Sequence, residues 1–194
     1  EERLARHMDE LKWLYMELYD SPEHFEELIA NMRGFYDERK PALKRQDKKR
    51  EEDPAWFKKN GMLGMMMYAG NFGGTLAGVG EKLDYIKRCG VNYLHLMPLL
   101  ESPAGRSDGG YAVADFRKVQ EELGTIEDLE ALADKCRRQG ISICLDFVMN
   151  HTSEDHEWAR RARNGEREYM DRYFFYDRKE DVDAYERTVP QVFP

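Results

Sequence analysis

Three short apolar runs, separated by segments with helical periodicity, constrain the fold of this chain more than any other feature. The runs are MLGMMMYAG from Met62, VNYLHLMPLL from Val91 and ISICLDFVM from Ile141. Each has the length and composition of a buried strand. Strands that alternate with helices along a chain predict parallel β–α units joined by right-handed crossovers.

The two segments between these runs carry helix signals at their ends. In TLAGVGEKLDYIKRCG the apolar residues recur at helical spacing, and Gly90 ends the pattern. In TIEDLEALADKCRRQG, Thr125 is a favourable N-cap with Asp128 three residues later, and Gly140 marks the end. The apolar positions of the first helix are Leu76, Val79, Leu83 and Ile86.

Residues 1–50 are predicted to be helical, with one apolar stripe followed by a second. Ser21 is a good N-cap for the second helix, and Pro22 stands at its first position. One interpretation of the basic run RKPALKRQDKKREEDP from Arg39 is a binding patch for an anionic ligand. Such runs usually form a solvated helix face and linker, and we prefer this second interpretation. The first stripe comprises Leu4, Met8, Leu11, Leu14 and Leu18.

Composition and charge exclude several classes of protein. Hydrophobic residues make up 41% of the chain and the formal net charge is -8, which indicates a globular protein without a nucleic acid or an anionic membrane as its main partner. No apolar run reaches the roughly 18 residues of a membrane span. The odd number of distant cysteines, Cys89, Cys136 and Cys144, favours a reducing compartment, so we expect a cytoplasmic location, with secretion left open.

Two parallel architectures fit this order of elements. A dinucleotide-binding sheet requires GxGxxG after its first strand, whereas AGNFGGTLAGVG has neither this spacing nor that of a P-loop. A TIM-type barrel places its chemistry at the carboxyl ends of the strands. Polar residues follow each apolar run there: Asn71, the 101–111 loop, and Asn150 with His151.

Asp146 stands inside the third apolar run. A buried carboxylate without a partner costs several kcal/mol, so we expect an Arg or Lys from another strand beside it. His151 follows five residues later, where it can place an imidazole over the strand ends, and Asn150 can pin this loop. The alternative is a satisfied core acid and an exposed loop histidine.

The segment SDGGYAVADF, residues 107–116, is the second candidate site. Gly109 and Gly110 allow positive φ angles and close approach of a ligand to the backbone. Tyr111 offers a flat apolar face with a hydroxyl tip, which suits stacking on a sugar ring. A plain surface turn is the alternative, and His95 is interpreted as a core histidine. No pair of His or Cys has metal-ligand spacing, so no metal and no cofactor are predicted.

Taken together, YLHLMPL, SDGGYAV, LGTIEDL and DFVMNHTSEDHEWA resemble the α-amylase superfamily of glycoside hydrolases, and within it the amylosucrase and sucrose-hydrolase branch. The resemblance covers residues 53–194 closely and 1–52 in character. It implies an α/β fold: the first three β–α units of a TIM (β/α)8 barrel after a helical N-terminal segment. The expected divisions are 1–52 helical, 53–153 barrel and 154–194 the start of a B-domain insertion.

The resemblance also implies roles for four residues. Asp146 would support a catalytic arginine and the nucleophile, and His151 would hydrogen-bond the glucosyl unit. Tyr111 would stack on that glucose, and Asp108 would pair with a distant arginine at the bottom of the pocket. Asn150 matches a calcium-binding position of many amylases, but no metal is assigned on that basis.

The reaction implied is retaining cleavage of sucrose, with transfer of glucose to water or to an α-glucan. The nucleophile and the acid/base are expected beyond Pro194, so the isolated chain would be inactive and its open sheet edges would invite association. Other α-glucosidases of the superfamily, a trehalose synthase, or a non-catalytic carbohydrate-binding or assembly module are the alternatives.

Overall fold

A computed structural model describes residues 2–176 and 178–188. It divides the chain into two compact units, Glu1–Lys59 and Asn60–Pro194. The domain boundaries predicted from the sequence, between residues 52 and 53 and between residues 153 and 154, stay predictions. No helix in the described ranges is long and apolar enough to cross a membrane.

The N-terminal unit is helical, as its apolar stripes predict. Ser21 is the N-cap residue of the second helix and its hydroxyl lies 2.7 Å from Nδ1 of His24. The first stripe is only partly covered, since Leu14 and Leu18 are exposed, whereas Phe25 of the second is buried against the ring of Tyr15. The elements are α1 (Glu2–Tyr19), α2 (Pro22–Glu38), α3 (Pro41–Glu51) and a 3-10 turn at Trp56–Lys58.

Three parallel strands form the centre of the second unit, in the order β1–β2–β5. They coincide with the three apolar runs of the sequence. His95 in the middle strand lies opposite Met66 on one side and Cys144 on the other. The strands are β1 (Gly64–Met67), β2 (Tyr93–Leu96) and β5 (Ser142–Leu145).

Helices cover one face of this sheet and form the core with it. The Thr125 capping box with Asp128 begins the crossover from β2 to β5, as predicted. On the covered face, Leu94 and Leu96 meet the apolar residues of the helices. Burial raises the pKa of the Cys136 thiol to about 11. The helices are α4 (Ala69–Gly73), α5 (Leu76–Glu81), α6 (Leu83–Arg88) and α7 (Ile126–Arg138). All four predicted stripe residues, Leu76, Val79, Leu83 and Ile86, are buried.

Residues 100–119 form an antiparallel hairpin that includes the predicted 101–111 loop. Strand β3 (Leu100–Glu101) pairs with β4 (Asp115–Val119). Its polar side chains obscure the strand pattern, because the consecutive residues Arg117 and Lys118, which point to opposite faces, are both exposed. The hairpin holds the SDGGY turn between its two strands.

The segment after Ser153 is helical in its described part, and no strand follows β5 among those residues. The B-domain insertion expected from residue 154 stays a prediction. The helices are α8 (Glu157–Arg163), α9 (Arg167–Met170) and α10 (Lys179–Glu186).

Candidate functional site

Asp146 lies directly after β5 and accepts two hydrogen bonds. Nε2 of His95 is 2.9 Å from Oδ1, and the hydroxyl of Tyr111 donates to Oδ2 at 3.1 Å. Within the described ranges these two groups are its partners, and the Arg or Lys expected from another strand stays a prediction. Because a carboxylate accepts, the proton of the His95 ring stands on Nε2.

His95 is a functional candidate that sequence reasoning assigned to the core. Side chains alternate between the faces of a strand, so Asp146 shares the face of Cys144, two residues before it. Cys144 is the registered neighbour of His95, which brings the two side chains together from 51 positions apart in sequence. Part of the signal was present in the sequence, because the alternation of side chains along each strand predicts the face on which each residue lies. The register between the two strands was not, because it is a property of the folded sheet.

Tyr111 follows a turn with three consecutive positive φ angles. These are +47° at Asp108, +71° at Gly109 and +95° at Gly110, as the glycine pair predicts. A Cβ atom at Gly109 would lie 2.8 Å from the hydroxyl of Tyr68, which would have to shift, and the positive φ disfavours any residue with a Cβ there. Partial burial, and then the hydrogen bond to Asp146, raises the pKa of Tyr111, so its hydroxyl remains a donor.

His151 joins its loop to that of Tyr111 through the backbone. Its Nε2 lies 3.2 Å from the Tyr111 carbonyl oxygen, and its Nδ1 lies 3.2 Å from Nδ2 of Asn150. A carbonyl accepts only, so Nε2 donates the hydrogen bond to Tyr111. The predicted pinning role of Asn150 stays a prediction, because its contact with Nδ1 joins two adjacent residues.

Asp108 is exposed and makes no ion pair with the residues that the structure describes. Its pairing with a distant arginine stays a prediction. The same holds for the contacts of Tyr111 and His151 with a sugar.

His156 is a second residue that sequence reasoning missed. It is buried, its Nδ1 accepts from the N–H of Trp158 as the N-cap of α8, and its ring packs on Phe116. Burial lowers the pKa of His156, so the neutral, accepting form is favoured. The available signal was its place just before EWARRAR, a segment rich in helix-forming residues.

The four side chains His95, Tyr111, Asp146 and His151 form a half-buried wall at the carboxyl ends of the strands. They offer an aromatic ring and hydrogen-bonding groups around one carboxylate, which suits a polyhydroxyl ligand. A separate open groove of about 550 Å³ lies beside the turn, lined among others by Tyr68 and Glu101. Its lining includes none of the four, so the groove is not the candidate site.

Comparison with known proteins supports a single family. Residues 30–193 match the family described as alpha amylase, catalytic domain. The chain is 49% identical over 105 residues to the trehalose synthase/amylase TreS of Mycolicibacterium smegmatis, covering 54% of this chain and 17% of that protein. It is 40% identical over 109 residues to an oligo-1,6-glucosidase of Bacillus sp. (strain F5), covering 56% and 21%.

Solved structures agree with this. The trehalose-6-phosphate hydrolase of Bacillus licheniformis superposes with a TM-score of 0.59 at 34% identity, covering 65% of this chain and 23% of that one. A variant of the trehalulose synthase MutB, solved with the substrate sucrose, gives 0.57 at 33%, covering 65% and 23%. The chain thus spans about a fifth of the length of its curated relatives. Its parallel β–α units are the first units of a TIM barrel, and the chain belongs to the alpha-amylase family.

Proposed function

We propose that the protein is part of a retaining enzyme that acts on α-linked glucosyl sugars. The observation that carries this is the Tyr111–Asp146–His95 hydrogen-bonded cluster, with His151 beside it, at the carboxyl ends of the strands. In this position Tyr111 stacks on the glucosyl ring and His151 bonds its hydroxyl groups. Asp146 orients Tyr111, while Asp108 lies at the rim.

Retaining cleavage needs two carboxylates about 5 Å apart, a nucleophile and an acid/base. We place neither among the cluster residues. Their role is to bind and orient the glucosyl unit, so that binding energy positions the scissile bond against groups supplied by the rest of the protein.

For the substrate we favour a trehalose- or isomaltose-type α-glucoside over an α-glucan. This choice is supported by the relatives named trehalose synthase and oligo-1,6-glucosidase. Hydrolysis and glucosyl transfer both fit the cluster, since the acceptor is bound elsewhere.

Sucrose is the second candidate substrate. It is favoured by the SDGGYAV and YLHLMPL motifs, which resemble those of amylosucrases, and by a related structure solved with sucrose as its substrate.

We further propose a reducing, cytoplasmic location, in keeping with three free thiols at Cys89, Cys136 and Cys144.

The test compares two substitutions of Tyr111 in the full protein, assayed for glucose release or transfer from trehalose, isomaltose, maltose and sucrose. Tyr111→Phe keeps the stacking face and loses one hydrogen bond, so kcat/KM should fall about fivefold. Tyr111→Ala removes the ring as well, and the loss should reach about 50-fold. His151→Ala should weaken turnover to a similar degree.

Tyr85→Ala, on the exposed side of α6, is the matched control and should leave kcat/KM unchanged. Near-normal turnover in both Tyr111→Ala and His151→Ala would contradict the proposed roles. The sugar that supports the highest kcat/KM decides between the two substrate classes.

A further inference from the structure

The two loops that carry Tyr111 and His151 leave different strands. The tyrosine loop, residues 102–114, joins β3 to β4, and the histidine loop, residues 146–156, joins β5 to α8. The sheet does not fix the distance between the two loops, because both extend beyond its hydrogen-bonded ladder. Contacts between the loops therefore determine how Tyr111 and His151 face a ligand.

Two of these contacts fasten the C-terminal half of the tyrosine loop. Nε2 of His151 bonds the carbonyl of Tyr111 at 3.2 Å, and the N–H of Ser153 donates to the carbonyl of Val113 at 2.8 Å. Ser153 and Val113 are both buried, so the second bond is shielded from water. These contacts leave the N-terminal half, before the turn, without a backbone bond to the histidine loop.

Arg106 supplies the connection on that side. Its Nη1 is 2.5 Å from Oε1 of Glu154, and its Nη2 is 2.7 Å from Oδ2 of Asp155. Glu154 is held in turn from α8, because Nη2 of Arg163 donates to its Oε2 at 2.8 Å. The hydrogen bond from Arg163, and then the charges of Arg163 and Arg106, lower the pKa of Glu154 and keep it ionised.

We propose that Arg106 is a positioning residue for the sugar site: by bridging Glu154 and Asp155 it sets the separation of Tyr111 and His151. This inference rests on the proposed function of those two residues. Its side-chain hydrogen bonds go to Glu154 and Asp155, so it acts on the two residues through the loops that carry them.

The turn between Arg106 and Tyr111 explains how the bridge reaches the site. The N–H groups of Gly110 and Ala112 both bond the carbonyl of Ser107, at 3.1 and 3.0 Å, so the turn is compact and displaces as one piece. A shift at Arg106 is then passed on to Tyr111.

The side chains of Arg106, Glu154 and Asp155 are 57%, 51% and 45% exposed, so their pairing contributes little to the stability of the fold. Its removal should show in ligand binding and loop exchange rather than in unfolding.

The kinetic test uses Arg106→Gln in the full protein. We expect KM for the best sugar substrate to rise about fivefold while kcat changes little. Raising the salt concentration from about 0.05 to 0.5 M should raise the KM of the wild type towards that of the variant, because exposed ion pairs are screened. The variant should lack this salt dependence, and Arg106→Lys should restore part of it.

Arg167→Gln is the matched control. Arg167 is an exposed arginine whose partner, Asp171, lies within the same short stretch of chain and spans no loops. It should show the wild-type KM and the wild-type salt dependence.

Hydrogen exchange measured by mass spectrometry tests the bridge without any activity. In Arg106→Gln the peptides covering 107–114 and 150–156 should exchange faster, and those of α7 should not. Unchanged exchange would contradict the claim that Arg106 holds the two loops together. Faster exchange with an unchanged KM would contradict its effect on the sugar site. A wild-type protein inactive on every sugar would overturn the proposed function instead, and exchange would still decide on Arg106.

Discussion

At the scale of single residues, the site is organised by the two acceptor oxygens of Asp146. One meets the ring of His95 and the other the hydroxyl of Tyr111, so the carboxylate joins two strands and a loop. Removing a partly buried acceptor leaves its donors unsatisfied, which costs more than the net value of the hydrogen bonds themselves. His95 can adapt to a changed partner, because its ring proton can move from one nitrogen to the other.

Asp146→Asn should therefore be mild and Asp146→Ala severe. The amide can accept from Tyr111 and donate to Nε2 of His95, provided that the imidazole proton moves to Nδ1. We expect a loss of less than about 1 kcal/mol in the free energy of unfolding for Asn, against about 1–3 kcal/mol for Ala. Urea unfolding measures both values. Nitrogen-15 NMR should show His95 protonated at Nδ1 in the Asn variant, and an Nε2-protonated ring there would contradict the argument.

At the scale of elements, the spacing of apolar residues predicted the helices and strands whose formation depends on local sequence. The stripe from Leu76 to Ile86 is buried, Thr125 caps its helix, and the three apolar runs are parallel strands. The β3–β4 hairpin was missed because two consecutive exposed residues, Arg117 and Lys118, interrupt the apolar alternation in β4. The His95–Asp146 pair was missed because it depends on register between strands, which no single segment of sequence contains.

The junction between α4 and α5 is determined by two glycines. A Cβ atom at Gly78 would lie 2.0 Å from the carbonyl oxygen of Gly73, and one at Gly73 would lie 2.4 Å from the nitrogen of Val79. Both obstacles are backbone atoms, which cannot move aside as a side chain can. The two helices therefore approach more closely than any residue with a Cβ permits.

We expect Gly78→Ala to lower the free energy of unfolding by about 3 kcal/mol through this overlap. Gly80→Ala, in the same helix, is the control, because its added methyl group would meet the flexible end of Lys135 at 3.3 Å. It should be neutral or stabilising by up to about 1 kcal/mol, from helix propensity. Urea denaturation of both variants measures the difference, and equal stabilities would be inconsistent with the tight junction.

At the scale of the whole molecule, the sheet has apolar edges. In the described part of the chain, β1 and β5 each pair on one side only. Beyond β5, Phe147 and Met149 are 62% and 86% exposed, and Met66 of β1 is 65% exposed. Unpaired strand edges next to apolar side chains promote association.

The 194-residue chain should accordingly self-associate with rising concentration, as measured by sedimentation velocity. Replacing Phe147 and Met149 together by Lys should weaken the association about tenfold, because less apolar area is buried and like charges repel. Phe174→Lys, at a residue that is 97% exposed and belongs to no strand, is the control and should change the association less. A monomer at every concentration would refute the expectation.

The bond from His151 to the carbonyl of Tyr111 has a consequence for how such a site diverges. Every amino acid supplies that carbonyl, so the residue at position 111 can be exchanged without removing the anchor of the histidine. The backbone shape of this loop can thus be kept while the side chain proposed to contact the sugar changes. In a family whose relatives are named for different sugars, this separation allows preference to drift by single substitutions while the framework of the loop is kept.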